Sequence, residues 1–173
     1  MKTDKTLSIM KVISWITLIG LCIKTGALIF SFIVSIFFNA EKAKTLPMDI
    51  DLSLLYSFNA GHYAVIVLLM IFFLTMKTFI FYLVTKIFSK INLSHPFNLN
   101  VANLIIKISY ALLGIGLIAM LATVYKNWLV KNGAFVLLKW EYGVYLFMAG
   151  IVFIVAQLFK RGIEIQSENE LTV

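Results

Sequence analysis

The sequence predicts an all-α integral membrane protein, a four-transmembrane-helix bundle with both termini in the cytoplasm and a small extracytoplasmic β-hairpin or β cap. Three observations lead there. The 173 residues are 61% hydrophobic and only 13% charged, whereas soluble domains are roughly 45–50% apolar and about 25% charged. The apolar residues fall in four runs, each long enough to span a bilayer, which takes roughly 17–25 residues, and the first long enough to tilt or project beyond it. Most of the lysines stand at the ends of those runs. A soluble domain of this length could not bury so much apolar surface, and a bilayer can. The chain is also too short for a second domain beside the bundle, so 1–173 reads as a single membrane domain.

The first run covers about 9–38 and is interrupted by Lys11 and Lys24. It is longer than the roughly 7–15 residues of a signal-peptide core. Its exit, Phe38-Asn39-Ala40-Glu41, offers no small-x-small cleavage site, so it reads as a retained helix. The second run, about 63–88, contains Lys77 and Lys86; the third, about 104–125, contains Lys107. The fourth, about 142–159, carries no charge and lies near the short limit. These spans leave outer loops at 39–62 and 126–141, a cytoplasmic loop at 89–103 and a cytoplasmic tail at 160–173.

Charge sets the orientation. Lys2, Lys5, Lys11, Lys86, Lys90, Lys107, Lys160 and Arg161 fall on one side, and Lys42, Lys44, Lys126, Lys131 and Lys139 on the other. Eight against five places the termini and the middle loop in the cytoplasm. The net charge of +7 is therefore read as topology, with no direct nucleic-acid binding.

The outer loops predict β structure. Asp49-Ile50-Asp51-Leu52-Ser53-Leu54 alternates polar and apolar, the period of a strand. In the second loop Asn132-Gly133 lies between apolar stretches, a hairpin signal because both residues tolerate positive φ. A hairpin centred there, with a third strand from the first loop, makes the predicted cap.

Two lysines break the apolar pattern, Lys24 and Lys77, each near the middle of its helix by count. A basic side chain at mid-bilayer costs at least about 2.5–3.5 kcal/mol and usually faces a protein interior or cavity. Ser14, Thr17, Lys24, Ser31 and Ser35 fall at steps of three, four or seven, which draws one polar stripe along the first helix. Ala27, Ser31 and Ser35 add a small-xxx-small row suited to close packing. No Asp or Glu lies in the four runs. Three readings follow: the lysines snorkel to an interface, they lose their charge and hydrogen-bond to hydroxyls, or Lys24, Lys77, Thr17 and Ser31 hold an anionic ligand.

Other residues exclude more than they suggest. Cys22 has no partner for a disulfide or a thiolate metal site. His62 and His95 fall near opposite surfaces and cannot share a metal. Gly114, Gly116, Ala119 and Gly150 read as packing residues, and Gln157 as a side chain that bonds a neighbouring helix. No nucleophile–base pair, phosphate loop or zinc motif is present. The chain reads as non-enzymatic, with no metal or cofactor, and four helices with much lipid-facing surface allow a homo-oligomer.

Two stretches carry a resemblance. One is the middle loop, Lys90-Ile91-Asn92-Leu93-Ser94-His95-Pro96-Phe97-Asn98. The other is the tail, from Leu158-Phe159-Lys160-Arg161-Gly162-Ile163-Glu164-Ile165-Gln166 to Ser167-Glu168-Asn169-Glu170-Leu171-Thr172-Val173. With the four-helix layout, they resemble the bacterial membrane proteins of domain-of-unknown-function family 2975. The family's usual tail acid is Asp where this chain has Glu170. The resemblance implies a bacterial inner-membrane location and no known activity. It also implies a neighbouring gene for a small Cro-like helix-turn-helix regulator, and so a cytosolic DNA-binding partner. Pro96, Phe97, Glu164, Gln166, Glu168, Asn169 and Leu171 are the residues expected to dock it. Gly162 either ends the fourth helix or weakens it. The leading expectation is a membrane regulator or scaffold. The alternative is a small transporter or anion-binding protein using Lys24 and Lys77.

Overall fold

The computed structural model describes residues 2–91 and 98–171, with side chains from 5 to 168 apart from 40 and 42. Five α-helices follow in order: α1 Lys2–Phe37, α2 Ser53–Phe58, α3 Ala60–Lys90, α4 Leu99–Lys131 and α5 Tyr142–Leu171, with a 3₁₀ turn at Ala40–Lys44. Four of them, α1, α3, α4 and α5, are long and apolar enough to cross a membrane. With 31 and 33 residues, α3 and α4 reach about 46 and 50 Å, beyond the roughly 30 Å of hydrocarbon. They continue past the apolar runs because their polar ends are capped rather than broken. The Asn59 side chain accepts from the backbone of Gly61 and His62 and starts α3, and Asn98 accepts from Asn100 and starts α4.

The long helices alternate in direction, so the start of α1 and the end of α5 lie at one end of the molecule, and the 38–59 and 132–141 connections lie at the other. Closest backbone approaches, Cα pairs within 8 Å, link α1 to α3, α3 to α4 and α4 to α5, and no other pair of long helices among the described residues. Side chains of α3, α4 and α5 also meet around Leu83, Leu104, Ile108 and Val152. The expected bundle is thus a trio with α1 as a flank. The flank shows in the exposed ridge Ile16, Ile23, Phe30 and Phe37, at seven-residue steps. Packing of α4 on α5 depends on small residues. A Cβ on Gly116 would lie 2.6 Å from Leu146 Cδ2, Ala119, Ala149 and Ala156 are buried, and Ser109 Oγ donates to the Ala149 carbonyl at 3.0 Å. By contrast, Gly114 and Gly150 face open space, and Gln157 is exposed.

The β cap is not what the chain forms. Among the described residues there is no strand, only a single antiparallel bridge between Leu46 and Ile50. Asn132-Gly133 ends α4 instead of turning a hairpin. Ala134 N donates to Leu129 O at 3.0 Å and Gly133 N to Val130 O at 3.1 Å, with Gly133 at φ 91°. That is the Schellman closure of a helix. It needs the same positive φ as a hairpin turn, which is why the dipeptide misleads. The buried contact that accompanies such a closure is Leu129 against Ala134. Beyond it Ala134 and Val136 point inward while Phe135 and Leu137 point out, strand-like alternation with no second strand beside it. In the first loop Asp51 accepts from Ser53 N at 2.8 Å, and the chain enters α2 rather than a strand.

A cap nevertheless closes this end. Ala43, Leu46, Leu52 and Leu55 of the first loop and Ala134 and Val136 of the second pack with Leu28, Tyr63, Ile66, Val67, Met70, Leu74 and Leu129. At its base Ser35 Oγ lies 2.7 Å from Tyr63 OH. Ser35 already donates to the Phe32 carbonyl, so the tyrosine is the donor between them.

Candidate functional site

The polar stripe of α1 divides when the helix packs. Ser14 and Ser35 are buried, Thr17 and Ser31 are half-buried, and Lys24 is exposed. The inward row is Ser14, Leu18, Leu21, Thr25, Leu28, Phe32 and Ser35, so Thr17, Lys24 and Ser31 form a row beside it. Ser14 and Thr17 donate to the Lys11 and Ile13 carbonyls of their own helix, which uses their single donors.

Lys77 is differently placed. It is half-buried, with Nζ 5.7 Å from the centroid of the Tyr145 ring, within range of a cation–π contact. It lines a cavity of about 300 Å³ together with Met48, Met70, Phe73, Leu74, Leu138, Lys139, Trp140, Glu141 and Tyr145. One turn earlier, Phe73 meets Trp140 with ring centroids 6.0 Å apart. Tyr145 lies in the first turn of α5 and Trp140 just before that helix. Lys77 is therefore level with the start of α5, near the capped end, although it stands near the middle of α3 by count. Helices of unequal reach explain the difference: α3 overhangs α5 there. Lys24 shares this level, because Thr25 Oγ1 lies 3.4 Å from Thr78 Oγ1. Lys24 is not among the residues that line the cavity. Neither lysine forms an ion pair among the described residues.

Sequence reasoning missed Trp140, Tyr145 and Lys139 as companions of Lys77. A signal existed, since Trp and Tyr flank the start of the fourth run, but nothing local pairs them with a lysine on α3. His62 also makes tertiary contacts. It is half-buried, its Nδ1 lies 2.7 Å from Tyr125 OH, and its ring meets Phe58 and Trp128.

At the opposite end Gly162 does not stop α5, which runs on to Leu171. Arg161, Glu164 and Glu168 fall at steps of three and four on one exposed face, and Arg161 pairs with Glu164 at 2.6 Å. Gln166 is half-buried. Asn169 and Leu171 lie in the last turn of α5, with side chains outside the described residues, and Pro96 and Phe97 lie outside them altogether. Among the described residues no three of His, Cys, Asp and Glu converge as a metal site.

A family model described as a protein of unknown function, DUF2975, matches residues 59–173. The match takes in α3, α4, α5 and the connections between them, and leaves out α1 and α2. No curated protein and no solved structure matches the chain.

Proposed function

Because this chain belongs to the DUF2975 family, whose description assigns no activity, we propose from its architecture that it is a non-enzymatic regulator or scaffold of the bacterial cytoplasmic membrane. Its loop 89–103 and its tail dock a cytosolic protein, a small helix-turn-helix regulator. The observation that carries the reading is the continuation of α5 to Leu171, well past its apolar run. It presents Glu164, paired with Arg161, and Glu168 on one exposed face, whose net charge of one acid is complementary to a basic DNA-binding surface. The loop after α3 leaves from the same end, and the family match includes both. Orientation rests on the positive-inside rule. With Lys77 and Lys24 both assigned to the capped side, the tally narrows to eight against seven, and Lys86 and Lys90 beside the short middle loop support the assignment.

Pull-down of a purified small helix-turn-helix regulator tests this, using the full chain and a chain lacking 162–173. Recovery should fall to background without the tail; equal recovery removes the tail as a docking element. Cysteines introduced at Asn92 and Asn132 should label from opposite faces of the membrane, with Asn92 on the cytoplasmic one. A second reading, a ligand carrier or transporter, is favoured by the half-buried Lys77 and its cavity. It requires Lys77→Met to abolish ligand binding or flux. Lys24→Met, outside the cavity, is the matching control.

A further inference from the structure

Three features of the Lys77 cavity converge on one class of ligand. The first is charge. Lys77 is half-buried on an apolar helix, with an aromatic face near its ammonium and no ion-pair partner among the described residues. A cation withdrawn from water in this way lacks a counter-charge. Lys139 lines the same cavity, and Glu141 is the one acid recorded there, so the lining carries a net positive charge.

The second feature is the wall. Trp140 and Tyr145 line the cavity at the start of α5, where the chain passes from a loop into an apolar helix. Their rings, apolar with one polar edge, suit the headgroup level of a bilayer. Met48 closes another side from a turn in which it and Asp49 have φ of 71° and 55°. Left-handed backbone in two consecutive non-glycine residues is uncommon and is kept where the surroundings fix it. The third feature is size and continuity. About 300 Å³ is at the lower end of small-molecule pockets, enough for a headgroup without its chains. Below the cavity α5 exposes Met148 and Val155, which the helical repeat sets within a quarter-turn of Tyr145, an apolar track for a hydrocarbon tail.

We propose that this cavity binds the anionic headgroup of a membrane lipid. Lys77 and Lys139 meet the negative charge, Trp140 and Tyr145 pack on the glycerol region, and the acyl chains run along α5. The site lies at the opposite end from the proposed docking loop and tail, so it stands or falls without them.

The test uses the full chain with Trp15→Phe and Trp128→Phe, which leaves Trp140 as the sole tryptophan of the three. The protein is reconstituted in phosphatidylcholine vesicles containing phosphatidylglycerol. The bromine label is placed on the chains of either one lipid or the other, and bromine quenches tryptophan on contact. Quenching of Trp140 should report about fivefold enrichment of the anionic lipid over its bulk fraction, as expected for one cation near the headgroup plane. Lys77→Met should abolish the enrichment, Lys77→Arg should keep it, and Lys139→Met, at an exposed loop position, should reduce it. Enrichment absent from the lysine-bearing protein overturns the proposal, as does enrichment that survives Lys77→Met. Loss of the enrichment on adding soluble glycerol phosphate assigns the site to a free anion and overturns the lipid. Should Lys77→Met fail to fold, the parent protein and Lys139→Met still decide.

Discussion

At the capped end, thirteen buried residues from three long helices and both loops join in one core. At the opposite end, buried residues come in threes: Leu83 with Leu104 and Ile108, and Val101 with Ile105 and Ala156. Polar groups divide the same way. The capped end joins helices through Ser35–Tyr63 and His62–Tyr125, each at 2.7 Å. At the other end Arg161 pairs with Glu164 on its own helix. The difference teaches where the hydrophobic effect operates. Loops standing in water must bury their own apolar side chains. Helices facing lipid gain little from burial as such and associate through fit and small residues. The cap is therefore built like a small soluble core, and the rest like a membrane interface.

The largest effect should come from the cap. Tyr63 is fully buried, and Tyr63→Ala should destabilise by about 3–5 kcal/mol. Ile165→Ala, 47% exposed at the far end, should stay within about 0.5 kcal/mol. Denaturant unfolding in detergent measures both, and similar losses would erase the contrast between the ends. Next comes the α4–α5 seam. Gly116→Val must displace Leu146 and should cost about 1–3 kcal/mol. Gly114→Ala meets nothing within 4 Å and should stabilise by up to about 1 kcal/mol through helix propensity. Gly133→Ala, at φ 91°, should cost about 1–2 kcal/mol, read as earlier thermal loss of the cap.

These contrasts also show what the sequence made legible. The four long helices could be read because charge-poor runs of that length have one use. Their ends could not. Ala60-Gly61-His62 and Lys126 to Lys131 are polar enough to look like loop, yet they are helical beyond the apolar run. Hydropathy reports the lipid slab rather than the helix. The stripe on α1 was displaced by one residue, since seven-residue spacing fits adjacent rows equally and only the facing helix chooses between them. Lys77 stood out at once. Its companions Lys139, Trp140 and Tyr145 are more than sixty positions away, and only tertiary packing brings them there.

The smallest effect belongs to Asp51. Hydrogen bonds from the Ser53 side chain and backbone hold its exposed carboxyl below the ordinary range. A carboxylate with a lowered folded pKa contributes stability above its unfolded value, near about 3.9, and that contribution is lost as pH falls through the folded value. Ser53→Ala should move the Asp51 titration, followed by carbon NMR of the carboxyl, back toward the ordinary value. At the capped end this leaves the core near neutral pH unchanged, since burial there does not depend on that charge.

The overhang of α3 above α5 has one more consequence. From Tyr142 to Phe159 the uncharged part of α5 measures about 27 Å, slightly less than an average hydrocarbon core. The shortest apolar stretch sets where a bilayer rests on the protein, and its upper edge falls at the level of Lys77 and Trp140. A thicker bilayer would press upward first against that rim, and tilt or local thinning would have to relieve the mismatch. The Lys77–Trp140 rim is thus the part of the cap that stands nearest to the apolar edge of α5.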